Sequence, residues 1–324
     1  MAASLDDIPL ELFPRMIESY TPGEKFLFAG ISTASEEICR KTPIRFTNAS
    51  FRLLHQNNWY IELLRGTNPG LVIYPVYQGD RVEERIRERF PTYTNTFPME
   101  VVKLETTVNS WPATLERINM ATRTIFKIFQ IDNVDIRVTS DFGIMNLSLW
   151  LRCNTFESIF IDSGRSLTHG ELRFILRLRT EKLSIFPRVE PRMAYEGQLH
   201  YKTIQLKDAT WLSGNGLLKI HAEEIKITEF SSPSFTAAKV RQYMEAWGDE
   251  QYENLKVMKI ILDTQGLSYE DLFNELTRGM QVLQVDLEAD FDQKRTVVSR
   301  GRLLVFQIRK PLHIVTITVI PDFV

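Results

Sequence analysis

Cysteine is scarce in this chain: Cys39 and Cys153 are the only two. One falls in an expected helix and the other beside an expected strand. Two thiols so placed frame neither a disulfide scaffold nor a metal knot, so both are expected as reduced core residues. Long apolar runs are missing as well. Nowhere do about 18 apolar residues follow one another, and Met1-Ala-Ala-Ser-Leu-Asp-Asp7 has no basic stretch leading into an apolar one. Membrane spanning and export are therefore not expected, and the expected location is the cytoplasm, the nucleus or both. Without export, the glycosylation-type triplets at Asn48-Ala-Ser50 and Asn146-Leu-Ser148 carry no meaning. An excess of one charge is absent too. Lys and Arg total 39 against 41 Asp and Glu, a net charge of -2, which provides no global field for nucleic acid or anionic lipid.

Catalytic patterns are equally thin. The five histidines, His55, His169, His200, His221 and His313, are scattered, and none stands in a metal-binding helical pair. No GxSxG elbow occurs. Gly164-Arg-Ser-Leu-Thr-His-Gly170 lacks the Gly-Lys-Ser/Thr ending that cradles phosphate, and is expected as a strand-to-helix turn with a cap. Asp132-Asn-Val-Asp135 and Asp290-Phe-Asp292 bring carboxylates close together without a general-acid partner, and solvated turns are expected there. Arg173, Arg177 and Arg179 give one expected helix a basic outer face opposite Phe174, Ile175 and Leu178, as a surface helix commonly has. The chain is accordingly expected to be no enzyme, to need no cofactor or metal, and not to bind nucleic acid.

What is present is a core. With 324 residues, 44% hydrophobic and 25% charged, the chain can bury a substantial interior, and the length suggests a small domain and a large one. The opening reads as three short helices. Leu12, Phe13, Met16 and Ile17 share one stripe of the first, with Pro14 in its opening turn. Thr21-Pro-Gly-Glu24 has the form of an N-cap, an N1 proline and a capping-box carboxylate, starting a helix that carries Phe26, Leu27, Ala29 and Ile31. Ser32 or Thr33 can cap the third, whose early Glu36 and Glu37 and late Arg40 and Lys41 suit the helix dipole. Pro43 ends it.

Strands are expected at Ile44–Asn48, Leu71–Val76 and Val101–Val108, with turns at Asn57-Asn58 and Asn68-Pro-Gly70 and a helix over 113–129. The charged stretch 80–95 is the best linker candidate. Beyond Phe129, short β-rich runs at 134–138, 158–161, 182–186, 203–206, 224–227 and 257–261 alternate with expected helices at 168–178, 211–220, 236–247 and 268–280. Strands beginning roughly 20 to 30 residues apart fit a leucine-rich-repeat-like β/α solenoid without its Asn ladder. The runs 282–287, 303–308 and 314–320 have no helices between them, which favours an antiparallel end to the sheet.

Ile8-Pro9-Leu10-Glu11-Leu12-Phe13 with Ile17, the Pro22 turn and Phe26-Leu27 resembles the F-box over about 40 residues. Val240-Arg-Gln-Tyr-Met-Glu-Ala-Trp247 followed by Asn254-Leu-Lys-Val-Met258, with Thr155–Ile161 and the closing 295–319 segment, is similar to the nematode-expanded F-box-associated domain (FBA type 2). Two departures stand out: Ile8 replaces the usual leucine, and Ser35-Glu-Glu-Ile-Cys-Arg40 replaces a segment that often carries a basic residue and a tryptophan. The resemblance implies an α/β (α+β) chain with a three-helix F-box over 1–43. A connecting region over 44–130 would follow, then an irregular leucine-rich-repeat-like β/α domain over 131–324 ending in antiparallel strands. It implies a substrate-recognition subunit of a Skp adaptor–cullin–F-box (SCF-type) ubiquitin ligase, whose C-terminal domain holds an unknown target protein. The residues it assigns to adaptor contact or support are Ile8, Pro9, Leu10, Leu12, Phe13, Ile17, Phe26 and Leu27. Three helices of this size cannot cover all their large apolar side chains themselves. The competing expectation is that the stripe packs on the chain's own second domain, as in a non-catalytic solenoid-type interaction scaffold with no ligase link.

Overall fold

The computed structural model describes residues 12–54, 58–77, 100–106, 110–139, 141, 144–153, 155–190, 195, 197–212, 215–230, 235–246, 255–262, 266–288, 291–299, 302–309 and 314–320. It is a mixed α/β protein with eight α-helices and fourteen strands among those residues. The chain divides into two compact units, 1–159 and 160–324. The stretch 80–95, the linker candidate, lies outside the described residues, as does Trp247.

The first unit opens with helices α1 (Phe13–Glu18), α2 (Pro22–Ala29) and α3 (Thr33–Lys41). Their starts follow local chemistry. The Thr21 hydroxyl accepts from the Glu24 amide and the Glu24 carboxylate accepts from the Thr21 amide, the expected capping box, while Ser32 caps α3 by accepting from the Ser35 amide. Strands β1 (Ile44–Leu53), β2 (Trp59–Arg65), β3 (Asn68–Tyr77), β4 (Glu100–Thr106) and β5 (Phe129–Val138) form the sheet, in the order β5-β1-β2-β3-β4. Helix α4 (Trp111–Ile128) leads directly into β5. A short helix α5 (Leu149–Arg152) and strand β6 (Thr155–Ile161) follow.

Register builds the core of this unit. Ala49, Phe51 and Leu53 of β1 stand opposite Leu63, Ile61 and Trp59 of β2, and opposite Val134, Ile136 and Val138 of the parallel β5. All nine are buried on one face. Ile118, Ala121, Ile125 and Ile128 of α4 are buried as well, and the Phe126 ring stacks on Phe51 at 6.2 Å.

Strand β2 has no counterpart among the expected strands, and Asn68-Pro-Gly70, expected as a turn, instead opens β3. The reversal happens one step earlier, at Gly66, whose φ of 65° suits glycine. The Leu64↔Pro69 pairing sits at a register irregularity, which accommodates the missing proline N–H. Gly70 is needed for another reason. A Cβ there would come within 3.0 Å of the Phe46 ring.

The second unit holds α6 (His169–Ile175), β7 (Arg179–Ile185), β8 (Leu199–Asp208), β9 (Ile220–Phe230), α7 (Ala237–Ala246), β10 (Val257–Ile261) and α8 (Tyr269–Leu276). It ends in β11 (Gln281–Glu288), β12 (Phe291–Ser299), β13 (Arg302–Arg309) and β14 (Ile314–Ile320). Strands β7 to β10 are mutually parallel; β14, β13, β12 and β11 continue from β10 as antiparallel neighbours. The antiparallel close thus matches the sequence expectation, with β12 as an additional strand. Leu183, Ile204, Ile225, Met258, Ile317 and Phe306 line up across six strands as one buried row.

The helix expected over 211–220 is not found among the described residues. Trp211 and Leu212 are buried in a turn, Leu217–Lys219 makes one 3₁₀ turn, and Ile220 already belongs to β9. Gly214 and Gly216 in this stretch each disfavour helix by about 1 kcal/mol. Trp211 donates through Nε1 to the Asp208 carbonyl.

Glu171 supplies a pH-sensitive element. It completes the capping box of α6, its carboxylate accepting from the Thr168 amide and from Arg165, and it is buried. The Arg165 hydrogen bonds hold its pKa at about 2, well below the usual carboxylate value. A depressed folded-state pKa stabilises above the unfolded value, and that stabilisation fades as pH falls from about 4.5 toward about 2. Glu171→Gln is therefore expected to cost about 2 kcal/mol at neutral pH. In chemical denaturation followed across pH, the difference from wild type should close in that acidic window; a pH-independent difference would show that charge is not the cause.

Candidate functional site

The opening helices divide their apolar side chains between two surroundings. Ile17 of α1 and Phe26 and Ala29 of α2 are buried, whereas Leu12 is 47% exposed, Met16 37%, Leu27 54% and Ile31 67%. Leu12 and Met16 are one helical turn apart, as are Leu27 and Ile31, so each pair lies on one side of its segment. These four exposed side chains lie on or beside α1 and α2, and α3 contributes none of them.

The buried half is anchored to the rest of the first unit. The Gly23 amide donates to the Glu100 carboxylate of β4 at 2.5 Å, and a Cβ at Gly23 would meet that carboxylate and Val102. Lys25, on α2, is buried, with Nζ donating to the Thr42 carbonyl at 2.7 Å and to the Thr42 hydroxyl at 3.1 Å. Burial lowers its pKa. Lys25 ties α2 to the end of α3, and the Cys39 thiol donates to the Lys25 carbonyl at 3.6 Å. Cys39 is free and buried as expected; Cys153 is free but only half-buried.

Beside the exposed half runs an open groove of about 1240 Å³ between the end of α2, the start of α3 and helix α4. Phe26, Leu104 and Leu115 contribute to its lining, and the exposed Leu27, Ile31 and Met120 stand along it. Arg117, Arg123 and Lys127 border it together with Glu36 and Glu116, and Lys127 crosses to Glu36 of α3 at 2.6 Å. Its lining thus mixes apolar and polar side chains.

Of the residues assigned from the sequence, Ile8, Pro9 and Leu10 lie outside the described residues, and Phe13 is described in its backbone alone. Leu12 and Leu27 stand on the exposed face. Ile17 and Phe26 are buried. Met120 was not anticipated as part of a surface, because its position falls out of phase with Leu115, Ile118, Ile125 and Ile128; that phase difference is itself the signal of exposure.

No family model, curated protein or solved structure matches the chain.

The other candidates resolve into structural roles. Asp132 and Asp135 sit on strand β5, not in a turn: Asp132 pairs with Arg45 at 2.9 Å, and Asp135 accepts from Asn48 and from Ser158, each at 2.6 Å. Asp290 is outside the described residues. Helix α6 ends at Ile175, so Arg177 and Arg179 are not part of a helical basic face. His200 and His221, distant in sequence, meet on the paired β8 and β9 with rings stacked 4.5 Å apart. Burial, then the neighbouring His221, lowers the His200 pKa. No group of three metal-ligating side chains exists among the described residues, and no described helix is long and apolar enough to cross a membrane.

Proposed function

We propose that the chain is an F-box protein: the substrate-recognition subunit of a Skp adaptor–cullin ubiquitin ligase, with no catalysis of its own. Residues 1–43 are the adaptor-binding F-box, 44–130 connect, and 131–324 form an F-box-associated, leucine-rich-repeat-like domain that holds the target. The observation that carries the proposal is the division within the opening helices. Ile17 and Phe26 are buried in the chain's own first unit, and Leu12, Met16, Leu27 and Ile31 are left open to a foreign surface.

Energetics support it. Burying a Leu, Ile or Met side chain contributes about 1.5–3 kcal/mol, so a few such anchors suffice for a stable complex. The work itself would be done by proximity. One region holds the ligase and another holds the target, which raises the local concentration of target lysines near the ubiquitin-charged enzyme.

A second reading has one observation in its favour. The anchoring of α2 by Gly23, Glu100 and Lys25 is also what a helical cap on an interaction scaffold without a ligase link would use. Affinity purification of the tagged full chain with mass spectrometry separates the two. Recovery of a Skp-type adaptor and a cullin together is the expected result; reproducible partners that include neither would favour the scaffold.

A further inference from the structure

Strand β11 follows α8 closely and stands last in the strand order of the second unit. Among the described residues its backbone pairs with β12 alone, so none of them meets the hydrogen-bonding groups on its far side. Folded proteins commonly guard such an edge with lysine, proline or an inward-pointing charge, which keep other strands away. Gln281-Val-Leu-Gln-Val285 has none of these.

The edge is also apolar on the side that faces the core. Residues directly opposed in antiparallel strands share a face. Val282 pairs with Val297 and Val285 with Arg295, and the register irregularity between Val282 and Gln284 sets these two valines, three positions apart, on the same side. On β12 that side is covered. Val297 is fully buried, and Arg295 is buried with its guanidinium 4.9 Å from the Phe273 ring of α8 and donating to Asn274 at 2.8 Å. One strand further out the cover has ended: Val282 is 43% exposed, Val285 is 53% exposed, and every residue from Gln281 to Val285 is exposed.

We propose that β11 pairs antiparallel with β11 of a second copy of this chain, joining two sheets into one across a two-fold axis. What favours a second copy over a foreign strand is that β11 is complementary to itself in reverse. A two-fold contact sets residue i opposite j and j opposite i. Centred between Leu283 and Gln284, the pairing sets each Val282 opposite a Val285, and four open valines close on one another. Leu283 then stands opposite Gln284, Gln281 opposite Asp286, and Gly279 opposite Glu288, so no carboxylate position faces another. The neighbouring registers are worse. A shift one way sets both valines opposite glutamines, and a shift the other way sets Val282 opposite Asp286.

Sedimentation velocity on the full chain from about 1 to about 100 µM provides the test. Wild type is expected to move from the 37.7 kDa monomer toward twice that mass within this range. V282K/V285K sets four lysines against one another and should weaken association at least ~10-fold. Its circular dichroism spectrum should be unchanged, because both positions are open in the free chain. L27D/I31D, altered on the opening helices, should associate like wild type. Should V282K/V285K misfold, the register is read by oxidising an equimolar mixture of V282C and V285C, each in a Cys153→Ser background. A disulfide between positions 282 and 285 of two copies is expected in the mixture and in neither variant alone. A chain that stays monomeric to about 100 µM leaves the edge to a foreign strand and overturns the proposal. So does association that survives in folded V282K/V285K, association that L27D/I31D abolishes, or a mixture without the disulfide.

Discussion

Leu27→Asp combined with Ile31→Asp is expected to weaken adaptor capture at least ~100-fold while leaving the melting temperature within a few degrees of wild type. Both side chains are more than half exposed in the free chain, so replacing them removes little internal packing. In the complex the same positions would lose two apolar anchors and bury two carboxylates, each a penalty of about 1–3 kcal/mol or more. Ile17→Asp supplies the contrast: Ile17 is fully buried, and a charge there should unfold the opening helices. The scaffold alternative reverses this pattern, since a stripe that merely caps the chain would show its damage as lost stability. Wild-type capture of the adaptor by a folded Leu27→Asp, Ile31→Asp protein would remove this face from consideration.

Phe51→Ala is expected to destabilise the first unit by about 3–5 kcal/mol, a large share of the 5–15 kcal/mol typical of a domain. Phe51 sits on β1, with Ile61 on one side and Ile136 on the other, and its ring stacks on Phe126 of α4. Truncation opens a cavity where sheet and helix meet, and the neighbours are fixed by strand pairing and cannot collapse into it. Urea denaturation should show a lowered midpoint at unchanged slope. A loss below about 1 kcal/mol would mean that α4 slides to fill the space and that the sheet–helix contact is looser than the register implies.

Helix starts were the most legible part of the fold in the sequence. Thr21-Pro-Gly-Glu24, Ser32, Thr168 and Ser268 each cap a helix through their own side chains, because capping is a contact among four consecutive residues. The alternating runs of the tail were legible for a similar reason. A strand half-exposed on one side records its environment as a period of two. Strands β2 and β12 were not. Trp59–Arg65 is apolar on successive positions and Phe291–Ser299 is dominated by polar and charged residues, so neither alternates cleanly. The false helix at 211–220 failed because Trp211 and Leu212 are buried by tertiary neighbours, with no helical face to support.

The sequence by itself determined where the capped helices begin, which residues could be core, and that no familiar catalytic or metal-binding pattern is present. Each is decided by residues adjacent along the chain or by composition. The tertiary structure alone decided which half of the apolar stripe is covered, that Met120 joins Leu27 and Ile31 along one groove, and that α8 shields Arg295 while Val282 and Val285 stay open. Those are distances between residues far apart in the chain. They are fixed by strand register and helix docking, and these depend on the free energy of the whole packed core, which no local pattern encodes.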